Sequence, residues 1–279
     1  MARGADARTR LIALAQAPDR EVRLAEAVLW IAAEEYVDLD VPAWLDQLDT
    51  LAQVATGRMA GRMDVDAVAG TLSQVLAEEQ GFRGNTHDYY DPRNSFLNDV
   101  LARRVGIPIT LSVVYLDVAA AAGLTVHGLG LPGHFIVRIE RGQARRLLDP
   151  FNGGATVSEA DCEALMRRIY GPDIRLDPAH LRPLTNCEIL VRMLVNLKGV
   201  YLRQQDWARA LRAVERITAL APDVPGEIRD RGTLHARSGQ IQAAIRDWES
   251  YLRAASTAPD ADRVRQNLRA LRQSLAVRN

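Results

Sequence analysis

Through the first eighty residues, apolar side chains return every three or four positions. Val22, Leu24, Ala25, Val28, Leu29 and Ala32 form one stripe within residues 21–36, the period of an amphipathic helix. Pro42 opens a second helix carrying Leu45, Leu48, Leu51 and Ala52, since proline lacks only an N–H that the first turn leaves unbonded. Asp64 or Asp66 caps a third through Val68, Leu72, Val75 and Leu76. Gly81-Phe82-Arg83-Gly84-Asn85 breaks the pattern, and the loop runs on to Tyr90. Asp91 and Pro92 then mark a helix start, with Phe96, Leu97, Val100 and Leu101 as its buried stripe, and Gly106-Ile107-Pro108 stops it. The next helix, from near Thr110 to Ala122, is apolar almost all round. That places it inside a domain.

Beyond Gly123 the period falls to two. His134 to Glu140 alternates, Arg141-Gly142 offers a turn, and Gln143 to Asp149 returns. This register sets His134 directly opposite Asp149. Phe135, Val137, Ile139, Ala144 and Leu148 share one face with Arg146, and the other face is mixed. A one-residue slip would spoil that sorting. Cross-strand Cβ atoms lie roughly 4.5–5.5 Å apart, within reach of an imidazole–carboxylate hydrogen bond. Such a pair is either the base and orienter of a nucleophilic triad or a structural pair at a sheet end.

Asp149-Pro150-Phe151-Asn152-Gly153-Gly154 reads as a tight loop, and Ser158 with Asp161 as a capping box opening another helix. Pro172, Pro178 and Pro183 mark a loose connection over residues 171–185. From there the pattern is helical and repeats. Leu197, Tyr201, Trp207, Ala210, Val214 and Ile217 shift by 34 residues onto Arg231, His235, Ile241, Ala244, Trp248 and Tyr251, with Gly232 and Gly239 at turn positions, as in tetratricopeptide repeats. The fold class is therefore α+β. The first domain covers residues 1–184, with a helical wrapper over 1–80 and a core over 81–170 built on a small antiparallel sheet. An all-α repeat region follows over 185–279.

Composition narrows the function classes. The chain has 279 residues, 48% hydrophobic and 25% charged, with a formal net charge of zero. Neither nucleic acid nor a membrane is an expected partner. No stretch approaches the roughly 18 apolar residues of a span, and the N-terminus lacks the layout of a signal peptide. Two cysteines, Cys162 and Cys187, are too few for a disulfide framework, which points to a reducing cytoplasm. The five histidines show no H-x-x-x-H spacing, so no metal site is expected. Gly128, Gly130 and Gly133 precede no helix, so no dinucleotide cofactor is expected either.

Gly84-Asn85, Asp91-Pro92 with Asn94-Ser95, the run from Val100 to Pro108, Pro132-Gly133-His134-Phe135 and the loop from Asp149 to Gly154 occur in that order along the chain. Together they resemble the SirB-type bacterial family. Glu227-Ile228-Arg229-Asp230-Arg231-Gly232 is similar to the same family's repeat region. The resemblance implies a transglutaminase-like, papain-related domain whose enzymes use a Cys-His-Asp triad. His134 falls at the second position and Asp149 at the third, but Pro108 stands in the place of the cysteine. Thr110 and Ser112 are the neighbouring hydroxyls, at a helix start that favours an anion; Thr110 also reads as an N-cap. Cys162 and Cys187 read as buried helix residues. Asn85, Tyr89, Tyr90 and Asn94 either line a pocket beside His134 or close a loop. The resulting expectation is a non-catalytic pseudoenzyme or adaptor that binds a protein or peptide through its repeats, with Arg229 and Arg231 exposed to it. The alternative is an acyl-transfer or peptidase-like enzyme using Thr110 or Ser112 with His134 and Asp149. A purely structural role is a third possibility.

Overall fold

The computed structural model describes residues 2–62 and 64–278, and they form two compact units, residues 1–190 and 191–279. The first begins with α1 (Ala2–Gln16), α2 (Leu24–Ala32), α3 (Val41–Met59) and α4 (Val65–Ser73). Helix α2 is shorter than its stripe suggests, and six of its nine residues are buried. Asp40 caps α3, accepting from the Ala43 amide at 3.1 Å with Pro42 in the first turn. Asp64 caps α4, accepting from the Ala67 amide at 2.7 Å. Asp66, the alternative cap, instead takes a fork from the Arg146 guanidinium. Helix α4 widens into a π turn over Gln74–Glu79.

Beyond strand β1 (Arg83–Gly84), Asp91 caps only a 3₁₀ turn, Pro92–Asn94, accepting from the Arg93 amide at 2.9 Å. The helix proper, α5 (Leu97–Arg103), ends earlier than Gly106 because Arg104 takes the left-handed conformation at φ 61°. Its guanidinium lies over the Phe82 ring, 4.6 Å from the centroid. Val105–Gly106 is thereby freed to form β2, which pairs in parallel with β1. Helix α6 (Pro108–Ala121) is buried at every position from Pro108 to Ala119, as its all-round apolar character requires.

Four antiparallel strands follow in the order β3 (Thr125–Leu129), β4 (Ile136–Arg141), β5 (Ala144–Asp149) and β6 (Ala155–Val157). The β4–β5 register differs from the expected one. Arg141 pairs with Ala144, so the turn residues are Gly142 and Gln143, and Val137 faces Leu148. A tight hairpin turn needs a positive φ at its first central position. Gly142 supplies it at 60°, where the expected turn would have forced Arg141 into that strained region. The displacement is two residues, so the faces keep their sorting. Both faces prove to be covered. Val137, Ile139 and Leu148 are fully buried on the side of α6 and α4. On the other side, Leu129, Leu131 and Ile136 pack with Cys162 and Met166 of α7 (Glu159–Tyr170). Ser158 and Asp161 form the expected box at the start of α7. The proline-rich stretch over 171–185 is not loose. Pro183 bridges to Leu129, the Leu184 amide donates to the Gly128 carbonyl at 3.0 Å, and Arg138 donates to the Leu181 carbonyl at 3.1 Å.

The chain enters the second unit within α8 (Asn186–Arg203) and continues through α9 (Trp207–Leu220), α10 (Pro225–Arg237), α11 (Ile241–Ala254) and α12 (Ala261–Arg278). The 34-residue shift carries both ends of α9, Trp207 and Leu220, onto both ends of α11, Ile241 and Ala254. Ala210 and Ala244 are fully buried. Gly239 sits at a turn with φ 74°. Gly232 does not: it lies inside α10, where an added Cβ would come 2.7 Å from the Trp248 ring.

Arg229 and Arg231, expected to be exposed, are held internally. Arg229 bridges Asp230 and Asp260 at 2.7 and 2.6 Å, and Arg231 forks onto Asp247 while donating to Thr218. Lys198, the sole lysine, is buried and donates to Glu227 at 2.6 Å and Asp230 at 2.8 Å. Removing one partner of a buried pair strands the other's charge. Lys198→Met should lower stability by roughly 2–3 kcal/mol, since Asp230 keeps Arg229 while Glu227 is stranded, and adding Glu227→Gln should recover most of it. Urea unfolding checks both; an unchanged midpoint in Lys198→Met would contradict the assignment.

Candidate functional site

The loop before α5 is tied together by two buried asparagines. The Asn85 amide donates to Asn94 Oδ1 at 3.0 Å, and Asn85 Oδ1 accepts from the Asp88 backbone at 3.0 Å. Asn94 Nδ2 donates to the Asp88 carbonyl at 2.7 Å. Both are therefore loop closures, and neither lines the cleft beside His134. Thr110 extends the same knot. It is the third residue of α6, not its cap; its hydroxyl donates to the Asn94 carbonyl at 2.6 Å and accepts from the Ile107 amide at 3.3 Å. Thr110 and Ser112 are both fully buried.

His134 lies just ahead of β4, after Gly133, whose φ is 70°. Extending the observed register sets Ile136 opposite Asp149 and His134 diagonal to it, a spacing that long side chains span. His134 Nε2 and Asp149 Oδ2 are 2.8 Å apart, and both residues are buried. Asp149 is also the cap of the 3₁₀ turn Pro150–Asn152, accepting from the Phe151 and Asn152 amides at 3.1 and 3.3 Å and from Asn152 Nδ2 at 2.7 Å. Burial pushes its carboxyl up, but the hydrogen bond and attraction of His134 and the donors of Asn152 outweigh that. The group sits below its ordinary value of 3.8. Being ionised at neutral pH, Asp149 can only accept, so Nε2 carries the proton.

A cleft of about 360 Å³ opens beside this pair. Its walls are Thr86 and Tyr89 from the loop, Pro108 at the head of α6, Gly133 and His134, Phe151 and Asn152, and Leu165, Arg168 and Ile169 from α7. Of the four pocket candidates, Tyr89 alone lines it; of the catalytic candidates, His134 does, with Asp149 behind it. The Phe151 ring stands edge-on to His134 at 6.0 Å and to Tyr89 at 6.2 Å. Neither cysteine lines the cleft. Cys162 is sealed in the apolar cluster under α7, where burial, helped by nearby acids, pushes its thiol up to about 11. Burial also raises the Cys187 thiol. The α7 wall was missed because nothing in an amphipathic helix says which sheet face it covers. Phe151 and Asn152 could have been found, since both sit in the loop that Asp149 caps.

Residues 42–195 match the family model described as the transglutaminase-like superfamily, and residues 197–269 the one described as the tetratricopeptide repeat. An α+β domain followed by helical repeats is the architecture of a transglutaminase-like repeat protein. A UPF0162 protein of Xylella fastidiosa is 35% identical over 264 residues, covering 91% of this chain and 92% of its own. A UPF0162 protein of Pseudomonas aeruginosa is 31% identical over 255 residues, again 91% and 92%. Protein SirB1 of Salmonella typhimurium is 26% identical over 241 residues, 85% and 89% of the two chains. This chain belongs to the family that the UPF0162 and SirB1 proteins make up. No helix among the described residues is long and apolar enough to cross a membrane.

A depressed acid contributes stability that is complete above its unfolded value, near 3.8 here, and is lost as pH falls through the lower folded value. Asp149→Asn should thus be less stable than wild type at pH 6, with the gap closing as pH drops below about 4. Urea midpoints against pH measure this; a gap independent of pH would contradict the ionised state of Asp149.

Proposed function

We propose that this protein is a non-catalytic transglutaminase-like adaptor of the cytoplasm. Its cleft keeps the His134–Asp149 pair as a binding element, and its helical repeats hold a protein or peptide partner. What carries the reading is Pro108. A nucleophilic mechanism needs a nucleophile in contact with its base, and the residue at the head of α6 that shares the cleft with His134 is a proline with no nucleophilic atom. The acyl-transfer alternative through Thr110 or Ser112 lacks support of this kind. Both hydroxyls are fully buried, neither lines the cleft, and Thr110 is engaged with Asn94. The repeat region favours a partner because paired helices of this period stack into surfaces suited to extended or helical segments. Arg229 and Arg231 are taken up within the repeat region, Arg229 by Asp260 ahead of α12 and Arg231 by Asp247 of α11.

The test is thiol reactivity and turnover. With a thiol near 11, roughly one Cys162 in ten thousand is thiolate at pH 7. Iodoacetamide should label Cys162 at least a hundredfold more slowly than a free thiol, Cys187 should react independently of His134, and no release from chromogenic amide donors should be seen. Rapid labelling of Cys162 that disappears in His134→Ala, or amide turnover, would overturn the reading.

A further inference from the structure

Among the described residues, half of the large apolar side chains left exposed gather around this one cleft. Tyr89 and Ile169 line it, exposed by 39% and 45%. Tyr90 packs edge-on against Tyr89 at 5.4 Å. Ile169 and Tyr170 both lie against the backbone of Gly133. Apolar residues scattered singly over a surface carry no message, but a cluster rimmed by polar groups marks a binding site. The charge of the walls is as informative. Arg168 is the only cation lining the cleft, and no carboxylate lines it, because Asp149 lies behind His134. On the same helix Arg167 is paired with Glu163. Arg168 has no ion pair or hydrogen bond among the described residues. The wall therefore offers a fixed positive charge beside aromatic and aliphatic surface, with the ring of His134 at its floor.

Taking the cleft to bind without turnover, as proposed above, we infer that it receives a peptide segment in which an aspartate or glutamate stands next to an aromatic or aliphatic residue. The side-chain carboxylate pairs with the Arg168 guanidinium, a planar donor fork suited to that group. The apolar neighbour enters between Tyr89, Phe151 and Ile169. A peptide fits better than a compact small molecule. A volume of about 360 Å³ holds only a few side chains, and the exposed apolar surface continues past the cleft onto Tyr90 and Tyr170, where an extended chain would run on.

The probe is a fluorescein-labelled peptide of glycines and serines around a central Phe-Glu pair, read by fluorescence anisotropy on the full chain. Versions with Phe-Gln or Ala-Glu at the centre complete the set. The Phe-Glu peptide should bind tightest and weaken with added salt. Replacing its Glu by Gln, or Arg168→Gln in the protein, should each weaken binding about tenfold, the two changes together no more than either alone. Tyr89→Ala should weaken the Phe-Glu peptide and leave the Ala-Glu peptide unaffected, while Arg167→Gln should change nothing. Equal affinity for all three peptides, affinity indifferent to Arg168→Gln, or no binding at millimolar concentration would overturn the inference. Mass spectrometry of the recovered peptide separates the two claims: cleavage or acyl transfer sinks the non-catalytic reading whatever the binding preference, whereas an intact, unbound peptide sinks the acidic-peptide inference alone.

Discussion

The site depends on one carboxylate. Asp149 accepts from the His134 ring, from two backbone amides of the turn it caps and from the side chain of Asn152. A buried charge is tolerable only when its lone pairs are met by donors, and each donor here comes from an element that shapes the cleft. The same hydrogen bonds orient the imidazole, set the Phe151 ring on edge beside it and close the loop after β5. Without Asp149 the histidine would lose its orientation and the turn its cap.

That loop is braced from two sides by glycines that cannot be replaced without displacement. At Gly84 in β1, an added Cβ would sit 2.6 Å from the Phe151 ring. At Gly154, with φ 70°, it would meet the hydroxyls of Ser73 and Tyr115 at 2.5 and 2.6 Å. The parallel β1–β2 pair, α4 and α6 thus converge on the stretch 149–154. The buried Asn85–Asn94–Thr110 knot fixes how the head of α6 meets the loop over 85–94. The polar residues around the cleft divide into a few that face it and a larger number that hold its walls.

Much of this was legible in the sequence. Pro42 opens a helix and Asp64 and Ser158 cap helices as their spacing implies, α6 is as buried as its composition demands, and the repeat period survives in the ends of α9 and α11. The His134–Asp149 pairing was reached through a register two residues away from the real one. Face sorting has a period of two and is blind to that displacement; only the conformational demand at Gly142 settles it. Local pattern also could not separate the roles of the polar loop residues. Tyr89 faces the cleft while Asn85 and Asn94 turn inward, and that difference depends on long-range packing against α6. Arg229 and Arg231 look like surface arginines in one dimension, and only the fold brings Asp247 and Asp260 to them.

We propose that this cleft has the base and its orienter but no nucleophile, because Pro108 occupies that place. The direct measurement installs what is missing. A Pro108→Cys variant puts a thiol at the head of α6, where the helix N-terminus and a neighbouring imidazole lower a thiol's pKa. Its rate of alkylation by iodoacetamide at pH 7, resolved by peptide mapping, should exceed that of Cys162 by at least a hundredfold and fall when His134 is replaced by Ala. A cysteine at position 108 that reacts no faster than Cys162, or that is indifferent to His134, would show that position 108 and His134 were never partners.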